Sequence, residues 1–357
     1  MKRKTNISLL IITSLAIVVT ALLGAGYSWW NAAPPERTCA SCHEIGSSVN
    51  ALVQSSHRDL KCSECHGTAL SNGFHSLKEK GRMVLNHIKE EHVEELRLNE
   101  EQLMLVMKQC QRCHSAQYAN WLSGGHSVDY RSIFTNPKQN STELLNFDCL
   151  RCHGMFFDGK LDELVHPINT TGPWKMVNEQ VVSRPAIPCM ACHLIHQPGN
   201  PAVRPNYSDP KAIFYEHNRP AASVHFYDRN EKKHFSVENL PELKLWNNKR
   251  QVNISDNVQM LNCTQCHAPN VFHTAGSSDD RTPIGVHEGL SCKACHEPHG
   301  NNARNSCLTC HPVISNCGLD VETMNTSFLD RNSPHNIHRV SCNDCHEDRV
   351  GIKAKLN

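Results

Sequence analysis

The sequence predicts an N-terminal membrane-spanning helix, then short α-helices and irregular loops with little β-structure, wrapped around groups that the polypeptide does not itself supply. Three observations carry this. The first thirty residues hold a long apolar run, the remainder is poor in core-forming residues, and one five-residue motif of cysteine and histidine recurs along the chain.

Residues 1–30 form the first element. Lys2, Arg3 and Lys4 precede an apolar run from Ile7 to about Tyr27, broken only by Thr, Ser and Gly, and Trp29 and Trp30 follow. About twenty such residues suffice to cross a bilayer as a helix. The basic cluster keeps the N-terminus on the cytoplasmic side and the tryptophan pair suits the far interface, which places the chain after residue 31 outside. A cleaved signal peptide is the alternative, but the run is long for one and Pro34 and Pro35 are poor neighbours for cleavage. Both readings export the chain.

Beyond this segment the material of an ordinary core is scarce. Aromatic residues make up 6% of the 357 residues and the mean hydropathy is negative. A chain of this length ordinarily folds as two or three domains around apolar cores, so apolar volume has to come from elsewhere. Cysteine, at 19, and histidine, at 24, are both far above ordinary usage. The formal net charge of +1 describes the bare polypeptide, and no nucleic-acid partner is expected from it.

The cysteines and histidines are ordered. Cys-x-x-Cys-His occurs nine times: Cys39, Cys42 and His43; Cys62, Cys65 and His66; Cys110, Cys113 and His114; Cys149, Cys152 and His153; Cys189, Cys192 and His193; Cys263, Cys266 and His267; Cys292, Cys295 and His296; Cys307, Cys310 and His311; and Cys342, Cys345 and His346. Chance gives roughly 0.07 occurrences at this chain's own residue frequencies, and the motif is that of c-type haem attachment. Two thiols at this spacing reach the two vinyl groups on one edge of a porphyrin, and the adjacent histidine is presented to the iron as proximal ligand. Nine motifs imply nine covalent haems c. A zinc site has no need of a histidine directly after each second cysteine. A disulfide framework does not explain the histidines, and a thioredoxin-like pair requires a βαβ context that is absent.

Haem also answers the missing core, because each porphyrin is a large apolar plate around which short helices and loops can wrap. Its two propionates bring charge as well. Nine haems add about eighteen negative charges, roughly half offset when the irons are oxidised, so the neutrality of the bare chain does not describe the loaded one.

Nine of the 24 histidines are proximal and 15 remain, enough for a second axial ligand at every iron. A second neutral imidazole gives a low-spin iron suited to electron transfer, whereas an open position invites substrate chemistry. The candidate distal ligands are His57, His126, His166, His196, His287, His299, His335 and His338. His57 and His287 stand five residues before a first cysteine and His338 four before; His335 and His338 form a His-x-x-His pair. His196 and His299 each lie three residues beyond a proximal histidine, too close to reach the far face of their own haem and so free to serve a neighbour. His87 and His92 fall on an expected helix, while His75, His217 and His234 are unassigned.

Four regions are expected: 1–30 as anchor, 31–200 as a membrane-proximal five-haem region, 201–260 as a connecting segment with a proline-rich start, and 261–357 as a four-haem region. Leu77 to Met107, rich in Glu, Lys, Leu and Met and free of proline, reads as a helix or a pair of helices with Val84, Leu85, Ile88 and His92 near one face. Prolines crowd from Pro185 to Pro220, and the longest interval between motifs, His193 to Cys263, begins there. Cys317 is the one cysteine outside the motifs and reads as a buried small residue. Asp279 or Asp280 with Arg281 reads as an ion pair or a propionate clamp.

The anchor, Cys39-x-x-Cys42-His43-Glu44, Ser56-His57 and Cys62-x-x-Cys65-His66-Gly67 together resemble the NapC/NirT family of membrane-anchored multihaem quinol dehydrogenases over roughly residues 1–70. The resemblance implies quinol oxidation near the first haem, a distal role for His57 at another haem, and delivery of electrons to a periplasmic redox protein. Ile45 stands where some members have a methionine that serves the first haem, which leaves that ligand open. Cys110 to His126 is similar to multihaem cytochromes related to hydroxylamine oxidoreductase and pentahaem nitrite reductase, and the Cys-x-x-Cys-Lys motif of the usual ammonia-forming nitrite reductase is absent. The expectation is an electron conduit from the membrane quinol pool, or an anchored quinol-oxidising complex, to a periplasmic acceptor. A reductase or oxidase of a small nitrogen or sulfur compound at one open haem is the rival, and a subunit docking a larger respiratory complex is a third reading.

Overall fold

The computed structural model describes residues 2–33, 43–67, 81–82, 84–85, 87–89, 98–197, 224–268, 281–300, 303, 306–311 and 336–341. Two compact units divide the chain: Met1–Leu98 with His196–Gly199, and Asn99–Ile195 with Asn200–Asn357. Of the connecting segment expected at 201–260, residues 201–223 lie outside the described residues.

The first unit begins with α1 (Lys2–Ala32). Its stretch Ile7–Trp29 is long and apolar enough to cross a membrane, and its large apolar side chains are exposed. The polar residues within it do not interrupt the apolar sleeve, because Thr13 and Thr20 turn their hydroxyls back to the Leu9 and Ala16 carbonyls at 2.9 and 2.8 Å. Helix α2 (His43–Val53) buries Val49 and Leu52 and is closed by Ser55, whose hydroxyl donates to the Leu52 carbonyl and accepts from the His57 amide. One further turn, α3 (Cys62–His66), carries a complete motif. The described positions from 81 to 88 are helical, with Val84, Leu85, His87 and Ile88 exposed, and residues 98 and 99 are not helical. The expected helical stretch from Leu77 to Met107 is therefore interrupted before residue 100.

The second unit opens with α4 (Glu100–Cys113). Asn99 caps it: the Asn99 side chain accepts from the Gln102 amide at 2.9 Å, and the Gln102 side chain accepts from the Asn99 amide at 3.1 Å. Leu103, Val106 and Met107 form its buried stripe, and continuing that helical spacing delivers Cys110. Helix α5 (Ser115–Ser123) follows at once, with Trp121 Nε1 donating to the Ile187 carbonyl at 3.1 Å. Short helices α6 (Tyr130–Phe134), α7 (Pro137–Asn140) and α8 (Cys149–His153) come next, then the hairpin β1 (Val165–His166) and β2 (Lys175–Met176).

An ordinary apolar core does exist in this part. Tyr130, Phe134, Leu150, Phe157, Leu164, Val165 and Trp174 are its main members, all from residues 130–174. Tyr130 also donates to buried Glu100 at 2.5 Å, and Arg184 pairs with the other carboxylate oxygen at 2.6 Å. These bonds tie the start of α4 to the core.

Two more antiparallel hairpins follow, β3 (His225–Asp228) with β4 (Lys233–Ser236), and β5 (Trp246–Asn247) with β6 (Arg250–Gln251). The remaining described helices are α9 (Met260–His267), α10 (Cys292–Cys295) and α11 (Cys307–Cys310). The described chain is thus mainly short helices and loops with little sheet, as expected.

Candidate haem centres

Seven of the nine motifs lie among the described residues with both cysteines and the histidine. Cys39, Cys42, Cys342, Cys345, His346, His335, Cys317, Asp279 and Asp280 lie outside them, and of His43 only the backbone is described. In four motifs the histidine amide donates to the carbonyl of the first cysteine, at 2.8 Å for His114, His296 and His311 and 3.0 Å for His193. That single helical turn sets the two cysteines, three residues apart, on one face. The local structure therefore presents two thiols side by side with an imidazole next to them.

None of the fourteen described motif cysteines is in a disulfide. No three of His, Cys, Asp and Glu converge as a metal cage among the described residues. Thiols from different motifs do touch. Cys152 hydrogen-bonds Cys266, and Cys263 hydrogen-bonds Cys292, which brings α8, α9 and α10 together. Burial pushes the Cys192 thiol up to about 11.

The histidines carry the more telling geometry. Five proximal rings each face a second histidine: His66 faces His196 with centroids 6.0 Å apart, His267 faces His126 at 6.3 Å, His193 faces His299 at 5.8 Å, His311 faces His287 at 6.5 Å, and His296 faces His338 at 6.1 Å. An imidazole nitrogen binds a transition metal at about 2.0 Å. Two imidazoles in line on opposite faces of one iron therefore place their centroids roughly 6.3 Å apart. All five separations sit around that value.

Details of the partners support the same reading. His287 Nδ1 lies 3.0 Å from the Ile337 carbonyl and His338 Nδ1 3.2 Å from Asn336 Oδ1, contacts that orient each ring. His126 bonds the Pro298 backbone. Burial, reinforced by the facing ring, lowers the pKa of His126 and brings His196 and His338 down to about 4. A buried imidazole kept neutral retains the lone pair that a metal requires.

Gly285 is what allows the His287 and His338 segments to meet. The Ile284 amide donates to the His338 carbonyl at 2.6 Å and the Val286 amide to the Val340 carbonyl at 2.8 Å. Gly285 sits between them at φ +87°, and a Cβ there would collide with the Val340 carbonyl.

Two described candidates lie outside these five pairs. His57 is half-buried just after α2, with its backbone amide bonded to Ser55 Oγ. His166 is exposed on the β1 strand, and among the described residues no motif histidine stands against it. Arg281 donates its backbone amide to the His267 carbonyl at 3.0 Å.

Two histidines that sequence reasoning did not assign support a motif from outside. The His225 amide donates to the Cys192 carbonyl at 2.7 Å, and His234 Nε2 lies 2.7 Å from the Met190 carbonyl, so the β3–β4 hairpin braces the Cys189–His193 motif. No spacing signal announces them.

Apolar side chains around the motifs complete the fit. Leu60 and Phe147 each stand two residues before a first cysteine, Leu308 lies within a motif and Val286 precedes His287, and all four are exposed. A porphyrin held by the motif would cover such surface.

Paired cysteines with an adjacent histidine, five of those histidines set near a second one, define a multihaem c-type cytochrome, a class that lies outside the cytoplasm and transfers electrons. More particularly, residues 109–194 match the family of cytochrome c554 and c-prime, and residues 250–312 match cytochrome c7 and related cytochrome c. Neither match touches residues 1–70, and the NapC/NirT family gives none. No curated protein and no solved structure matches the chain.

Proposed function

We propose that this chain is a membrane-anchored cytochrome with nine haems c, passing electrons from the quinol pool or an anchored quinol-oxidising complex to a periplasmic redox protein. The observation that carries the reading is the set of five histidine pairs at 5.8–6.5 Å. A covalently attached haem supplies a one-electron couple when bound. The protein's part is to hold and close each site. The motif cysteines anchor one edge, and His43, His66, His114, His153, His193, His267, His296, His311 and His346 serve as proximal ligands. His196, His126, His299, His287 and His338 serve as distal ligands to the motifs of His66, His267, His193, His311 and His296 in turn. A site closed by two imidazoles has no position for substrate, which favours a carrier over a catalyst.

The apolar helix Ile7–Trp29 supports the anchoring. The resemblance of the first seventy residues to quinol dehydrogenases supports quinol, direct or through a complex, as the source.

Intact mass spectrometry of protein purified from membranes, with EPR of the oxidised form, tests the reading. Nine haem masses and low-spin ferric signals alone are expected. A stoichiometric high-spin haem, or reoxidation of the reduced protein by nitrite with no reduction by quinol in membranes, would overturn the conduit.

A further inference from the structure

Arg151 lies inside the Cys149–His153 motif and is almost wholly buried, at 4% exposure. A buried guanidinium loses hydration worth several kcal/mol and needs an anion in return. The chain offers it little. Its Nη2 stands 3.4 Å from the neutral amide oxygen of Gln265, its Cζ lies 5.5 Å from the centroid of the Phe226 ring, and its Nε has no partner. It forms no ion pair with a carboxylate among the described residues. The other strongly bonded arginines differ: Arg184 and Arg131 each meet a glutamate at 2.6 Å, and Arg250 meets Glu288 in two bonds at 2.5 and 2.7 Å.

The missing anion is accounted for by the group the motifs hold. A haem carries two propionates on the edge away from its thioethers. Arg151 sits between Cys149 and Cys152, at the thioether edge of its own site, so its own propionates are on the far side. The nearest other motif presents its thioether edge here as well, since Gln265 lies between Cys263 and Cys266 and Cys152 hydrogen-bonds Cys266, so the propionate has to come from a haem attached at neither of these two motifs. We propose that Arg151 is a propionate-binding residue, pairing through Nε and an Nη with the carboxylate of a haem attached at another motif. The fork of the guanidinium matches a carboxylate in this two-bond mode, and Gln265 and Phe226 hold its plane. The charge pair keeps that carboxylate ionised in a dry site, and the cation favours the reduced form of the iron over what the lone propionate would set. Arg151 acts on the iron through the propionate and is a positioning residue.

This rests on the haem-loaded reading of the chain, and the test separates the two. Arg151→Met keeps length and the contact on Phe226 without the charge; Arg151→Lys keeps the charge with one donor group. Haem content is measured first by intact mass: if the wild-type protein carries no covalent haem, the haem-loaded reading fails and this inference with it. With full haem content in both variants, spectroelectrochemical potentiometry is expected to show one haem of Arg151→Met harder to reduce by at least tenfold in its equilibrium, 59 mV for a one-electron couple, while the others hold and Arg151→Lys recovers most of the shift. Unchanged potentials throughout overturn the assignment and leave the haem-loaded reading intact. If neither variant loads haem, a crystal structure of the wild-type holoprotein decides. A propionate oxygen within hydrogen-bond reach of the Arg151 guanidinium supports the proposal, and a guanidinium facing only protein atoms sinks it.

Discussion

Replacing His287 by alanine, and His338 by alanine in a parallel variant, separates two extremes of ring orientation. The planes of His287 and His311 stand 83° apart, whereas those of His296 and His338 stand 9° apart. Axial imidazoles donate π density to iron along directions set by their planes, and axial ligation is the protein's main lever on the metal. Parallel planes raise one of two d orbitals and split the pair, giving a rhombic low-spin ferric signal. Perpendicular planes raise both alike and leave them nearly degenerate, giving a strongly anisotropic one. Each pair is one of nine proposed centres, so each substitution acts on about 11% of the haem iron. In EPR of the oxidised protein, His287→Ala should lose a strongly anisotropic signal in that amount and gain the same amount of high-spin iron. His338→Ala should trade a rhombic signal for high-spin iron in equal proportion. Added imidazole should restore both. Loss of the same kind of signal in the two variants, or full haem content with no high-spin iron in either, would refute the pairing.

Gly285→Ala should disturb both of these centres at once, because a side chain at φ +87° meets the Val340 carbonyl and parts the His287 segment from the His338 segment; EPR of the variant should show high-spin iron from two haems. In the core, Tyr130→Phe removes a donor to the buried Glu100 carboxylate and should lower stability by about 2 kcal/mol. Arg184→Met leaves that carboxylate without its cation and should cost more, about 3 kcal/mol, both read from denaturant midpoints followed by far-ultraviolet circular dichroism. Glu288, bonded by Arg250 and the Asn253 amide, is held down to about 2 from 4.5. A lowered carboxyl stabilises the folded state above its unfolded pKa and loses that contribution as pH falls through the folded one. Wild-type protein should therefore lose stability relative to Arg250→Gln between pH 4.5 and about 2, the two converging at the acid end of thermal melts.

The motifs were legible because their chemistry is local. Cysteines three apart and a histidine next to the second need only one helical turn to become a haem-binding unit, and that turn is what Cys62–His66 and Cys149–His153 form. The placement of His196 and His299 was partly legible too, since three residues beyond a proximal histidine is too near for the same iron; the structure sets them against His66 and His193. Which histidine meets which motif was not legible, because the pairs join distant segments and spacing carries no record of that. His126 faces His267 across the entire interval that the sequence divides into two haem regions. His166 shows the opposite case: an apolar neighbour, Val165, enters the core, and strand alternation turns the histidine outward.

The long-range pairs also bear on how the second unit is held together. Residues 130–186 hold an ordinary apolar core, and the second compact unit runs from Asn99 to the C-terminal part. His126 with His267 and His193 with His299 tie the core region to the C-terminal motifs, while His296 with His338 and His287 with His311 close the C-terminal part upon itself. Loop closure grows only slowly in cost, by about 0.6 kcal/mol for each doubling of length, so a pair drawn from far apart is nearly as easy to form as a near one once a metal bond holds it. A proline-rich interval between motifs is then no barrier to unity, because the imidazole pairs cross it. In the haem-loaded chain proposed above, the units follow ligand pairing rather than sequence interval, and the exposed apolar side chains beside the motifs are surface that bound porphyrin would cover.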